Sequence, residues 1–109
     1  MRIPIPGGGS RRIPDPLEHE VAGEKAAALG HSGHRMERAL AALRENDAPP
    51  ESEERERLLD EAAERVWAYL VQRELCGIRD HRSAVADYAI PPEVMNRVGA
   101  VRKRPEGSR

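Results

Sequence analysis

Apolar residues recur along this chain at spacings of three and four and nowhere alternate with polar ones, so the pattern predicts helices and no strand. Ala22, Ala26, Leu29, Gly33, Met36, Leu40 and Leu43 form a seam of coiled-coil type, thin in its first half and leucine-rich in its second. Asp15 and Pro16 open this helix as N-cap and first helical residue, because proline lacks an N–H where none would be bonded. Asn46, Asp47 and the Pro49-Pro50 pair stop it. A second helix runs from near Ser52 to Cys76. Its apolar side reads Leu59, Ala62, Ala63, Val66, Trp67, Leu70, Val71 and Leu75. Gly77 suits the residue after its end, where a left-handed conformation is cheap without Cβ. Asp80 caps a third, short helix to about Tyr88, and a fourth begins at Pro92 with Gly99 as its stop.

The expected fold is therefore all-α: an antiparallel hairpin of two long helices, capped by two short C-terminal ones. Residues 1–14, rich in Pro, Gly and Arg, and residues 99–109, short and basic, read as flexible tails around one domain at residues 15–98. Gly30 and Gly33 fall inside the first helix, and each costs about 1 kcal/mol relative to Ala there. Close approach of another backbone offsets that cost, so one continuous helix is expected, with a kink or short break there as the alternative.

Composition adds a deficit of large side chains. Among 109 residues there is no Phe, one Trp and two Tyr, so burial rests on Leu, Val and Ala. Domains this small are marginal alone, and oligomerisation is a remedy. Leu40, Leu43, Trp67 and Leu70 are the expected core anchors, Trp67 foremost. Ala22, Ala26, Gly30 and Gly33 are the candidate interface of a homodimer, two hairpins pairing into a four-helix bundle. The competing arrangement packs that half of the helix under Tyr88, Ile90, Val94 and Val98 of the same chain.

The formal net charge of −1 conceals a division. Both ends are basic, while residues 15–98 set eleven bases against eighteen acids. An acidic body argues against nucleic-acid binding through the folded surface. One cysteine precludes an internal disulfide and fits a reducing compartment. No stretch reaches the length of a membrane span. Cytoplasmic is the default location, with no membrane role.

Candidate chemistry is thin. His31 and His34 lie three apart, but a zinc site needs three or four ligands and only Glu37 is near at usable spacing. Cys76 with His81, in "LVQRELCGIRDH" (residues 70–81), would need an activating base or a helix N-terminus, and Cys76 sits instead at a helix C-terminus. That stretch reads as a junction, with Leu75, Cys76 and Ile78 inward and Arg73, Glu74, Arg79, Asp80 and Arg82 as ion pairs around the corner. Nothing nominates a catalytic residue, a metal ligand or a cofactor site, and the balance leans away from an enzyme. A degenerate helix-turn-helix at residues 84–104 is the alternative. "VADYA" (85–89) fits its first helix, whereas the usual turn glycine is missing and Glu93 opens the would-be reading helix.

The segments "EKAAALG" (24–30), "ALAALR" (39–44), "VWAYLVQRELCGIRDH" (66–81) and "YAIPPEV" (88–94) together resemble a family of small bacterial helical proteins catalogued as a domain of unknown function. The resemblance spans about residues 16–99 and implies an all-helical cytoplasmic protein without an assigned activity. The functional expectation is a non-enzymatic module for self-association or for an unidentified protein partner.

Overall fold

The computed structural model describes the backbone of residues 16–103 and the side chains of residues 16–100. Helix α1 spans Pro16–Glu45, α2 Glu53–Leu75, α3 His81–Asp87 and α4 Pro92–Lys103. α2 packs against α1 on one side and α4 on another. The hairpin is antiparallel: Arg55, at the start of α2, donates to the carbonyl of Leu43 near the end of α1, while Cys76, just past α2, lies beside Lys25.

Local chemistry sets the boundaries. Asn46 Oδ1 accepts from the Ala48 N–H at 2.9 Å as α1 ends, and Ser52 caps α2 by accepting from the Arg55 N–H at 3.1 Å. α2 closes in a Schellman motif, with Gly77 at φ 84° donating to Glu74 and Ile78 donating to Arg73. α3 closes the same way, and here Ala89 takes the left-handed position at φ 51° while Ile90 donates to Val85. The missing turn glycine is thus replaced in conformation, not avoided.

The core joins Met36, Leu40 and Leu43 of α1 to Leu58, Leu59, Ala62, Ala63, Val66, Tyr69 and Leu70 of α2, with Ala84, Ile90, Val94 and Val98 closing it. α1 runs unbroken through Gly30 and Gly33. Gly99 does not stop α4, which continues to Lys103. Gly99 costs about 1 kcal/mol inside a helix, which is not enough to end α4, so the expected boundary at residue 98 falls inside an element. The N-cap expected at Asp15, the N-terminal tail, and the C-terminal tail beyond Lys103 lie outside the described residues.

Trp67 is a correction. Leu40, Leu43 and Leu70 are buried, whereas Trp67 remains 37% exposed. α2 must face both α1 and α4, and its buried arc turns toward Leu58, Ala62 and Tyr69, leaving Trp67 and Val71 on the flank. Leu75 (59% exposed) and Ile78 (37%) likewise do not point inward. The corner beyond α2 is held by Arg73, which donates to the Asp80 carbonyl at 2.7 Å, and by His81 Nε2 paired with Glu74 at 2.7 Å.

Candidate interaction surface

α1 outreaches its partner. At about 1.5 Å per residue it is about 45 Å long against about 34 Å for α2. Cys76 Sγ lies 3.8 Å from the Lys25 carbonyl oxygen, so Pro16–Glu24 projects past the end of α2. Every residue from 16 to 27 is exposed, Leu17 at 68%.

Two concavities run along α1 from this overhang into the domain. The first, about 330 Å³, is lined by Ala22, Lys25, Ala26, Leu29, Leu75 and Cys76. The second, about 450 Å³, continues it with Ala26, Leu29, Gly30, Gly33, His34 and Glu37, and is walled by Tyr69 and Tyr88. All four residues of the candidate interface therefore line one strip. Their roles differ. A Cβ on Gly30 would meet nothing within 4 Å, whereas a Cβ on Gly33 would stand 3.1 Å from Tyr69 Cε1. Gly33 is buried, and its bareness admits an aromatic ring of its own chain, not a backbone of another. This corrects its assignment to an intermolecular contact.

The aromatic wall is rigidly made. Tyr69 and Tyr88 pack edge to face with centroids 5.4 Å apart, their hydroxyls share a hydrogen bond at 3.3 Å, and the Arg73 guanidinium lies 5.9 Å from the Tyr69 ring centre. The hydrogen bond to Tyr69, then burial and the neighbouring Tyr69 and Glu37 charges, push the Tyr88 hydroxyl up to about 12, against the opposing pull of Arg73. Sequence reasoning passed over Tyr69 in the apolar face of α2. Its spacing of three from Val66 and seven from Ala62 was the available signal, masked by the preference for Trp67 on the other flank.

The remaining candidates do not assemble. His31 and His34 are exposed, and among the described residues no three His, Cys, Asp or Glu side chains gather as metal ligands. Cys76 Sγ approaches a backbone carbonyl, while His81 Nε2 is engaged by Glu74. On α4, Glu93 pairs with Arg55 at 2.6 Å and Arg97 bridges Glu56 and Asp60, so both charges are directed at α2. Val94 and Val98 are buried beneath them.

This all-helical architecture agrees with a family assignment. The chain belongs to the family of unknown function DUF6665. The family model matches residues 10–106, which takes in all four helices of this DUF6665 member and the whole strip along α1. No curated protein and no solved structure matches it. No helix among the described residues is long and apolar enough to cross a membrane.

Proposed function

We propose that this DUF6665 protein is a non-enzymatic self-association module that pairs into a homodimer along the strip from Ala22 to Glu37. One observation carries the reading: α1 continues past the end of α2, and the small seam residues Ala22, Ala26 and Gly30 stay exposed among the described residues, along concavities that Leu75, Cys76 and Tyr69 wall on one side only. A helical segment this short is marginal in water unless its apolar face is covered. The strip is about 22 Å long, enough for a helix of about fifteen residues. Its small side chains at Ala22, Ala26 and Gly30 allow a second helix to approach closely. A second copy is the partner always present, and its own α1 carries the same self-complementary face, as a two-fold interface requires. A cytoplasmic setting accords with the lone thiol.

Sedimentation equilibrium tests this. The expected result is a dimer at tens of micromolar, converted to monomer by Gly30→Gln with helix content kept, since a Cβ at Gly30 meets nothing within 4 Å among the described residues. A wild-type monomer at those concentrations overturns the reading, as does a Gly30→Gln protein that remains dimeric.

A further inference from the structure

On another flank of the hairpin, away from the strip, a groove of about 500 Å³ lies between α1 and α2. Arg35 and Arg38 border it from α1, and Arg57 and Arg65 from α2, over a floor of Ala39, Ala42 and Leu58 with Glu61 as the lone acid. Arg57 is partly neutralised, at 3.2 Å from Glu54 and 3.7 Å from Glu61. Among the described residues, Arg35, Arg38 and Arg65 have no carboxylate partner. Outside the groove, Arg55 and Arg97 are paired with carboxylates. Four guanidiniums converging on one groove of an otherwise acidic body repel one another, and an anion seated there relieves that repulsion.

From this arrangement we infer that the groove is a binding site for an oligophosphate anion, free or as the polyphosphate of a nucleotide. The spacing sets the class. Arg35 and Arg38 are one turn apart on α1, and Arg57 and Arg65 about 12 Å apart along α2. A single phosphate reaches one or two guanidiniums, whereas linked phosphates reach across the groove and meet each planar fork through two oxygens. The volume lies within the range of small-ligand sites. Ala39 and Ala42 provide the depth, because larger side chains would fill the groove from below. Glu61 opposes an anion at one point on the wall, and its pairing with Arg57 moderates that opposition. Binding of this kind is ionic and must weaken with salt.

Calorimetric titration of the full chain with sodium triphosphate, ATP, inorganic phosphate and citrate, at low and at moderate salt, is the test. One-to-one binding of triphosphate is expected, with phosphate weaker by roughly ten-fold or more. ATP binding as tightly as triphosphate identifies the phosphate chain as the recognised part, and tighter ATP binding adds a contact to the nucleoside. The double variant Arg35→Gln, Arg65→Gln should lower the triphosphate affinity by roughly ten-fold or more, with Arg82→Gln, outside the groove, as the unchanged control. Arg38→Gln gives a second reading should the double variant lose helix content. Failure of triphosphate to bind at low salt overturns the inference, as does undiminished binding by the variants. Citrate matching triphosphate, or oligoglutamate or duplex DNA binding more tightly, overturns the assignment to oligophosphate.

Discussion

Replacing Leu40 and Trp67 by alanine, one at a time, separates the core of this domain from its edge. Leu40 is 1% exposed, between α1 and α2. Removing about three buried methyl or methylene groups at about 0.8 kcal/mol each forfeits about 2.4 kcal/mol of transfer energy. A residual void of about 50 Å³ adds about 1.2 kcal/mol, for a total of about 3.5 kcal/mol. Trp67 borders a cleft of about 120 Å³ with Leu70, Val71, Glu74 and His81, and the loss of its ring only widens a space already open to water. Its truncation carries no cavity penalty. With 37% of the residue exposed, roughly 100 to 120 Å² of lost contact costs about 2.5 to 3 kcal/mol. Domains of this length have about 4 to 13 kcal/mol in total, so Leu40→Ala removes a large share and should lower Tm by about 14 to 28 °C. Urea unfolding followed by circular dichroism, at one fixed protein concentration because of the proposed dimer, measures both differences. A Trp67→Ala variant clearly more destabilised than Leu40→Ala would refute this placement of the core and restore the tryptophan as its anchor.

Two further outcomes follow from the turns and the tyrosine pair. Ala89→Gly should stabilise the domain by up to about 1 kcal/mol in thermal or urea unfolding, since φ 51° is strained for an L side chain and Ala89 is exposed, while Gly77→Ala should cost about 1 kcal/mol at φ 84°. Equal and opposite results would show that these ends are not left-handed. Tyrosinate absorbance should show a group ionising near 12, which falls back toward 10.0 in Tyr69→Phe. Because the folded value is raised, its stabilising contribution is complete below pH 10 and is lost as pH rises toward 12; Tyr88→Phe should remove that alkaline loss.

The helices were legible because their ends carry chemistry that acts locally. Asp80 and Gly77 bond or bend within three residues of themselves, and the structure finds each in the expected role, with Ser52 capping α2 where that helix was expected to begin. Facing was legible only where one helix meets one partner. The seam of α1 gave Met36, Leu40 and Leu43 correctly, because α1 buries them mainly against α2. α2 serves two neighbours, and a periodicity of three and four does not say which way a widened arc turns. Trp67 was therefore overvalued and Tyr69 missed. Gly33 failed for a related reason: a bare position signals close approach, but its sequence neighbours do not say whether the visitor is a backbone or, as here, a tyrosine ring of the same chain. The arginine groove was not visible at all, since Arg35 and Arg38 meet Arg57 and Arg65 only after the hairpin closes.

The two proposed surfaces are separable because of where they lie on α1. At about 100° per residue, Arg35, Arg38, Ala39 and Ala42 centre roughly half a turn away from Ala22, Ala26 and Gly30 around the helix axis. Helix α2 occupies the sector between them. A second copy seated on the strip consequently leaves the groove open, and a dimer would carry two grooves. Substitutions more than about 7 to 10 Å apart without shared partners act independently. The Gly30→Gln monomer should then bind triphosphate as the wild type does, and the Arg35→Gln, Arg65→Gln protein should keep the wild-type mass. If dimerisation and anion binding instead rose and fell together, the anion would be bridging protomers, and neither surface as drawn on a single chain would be complete.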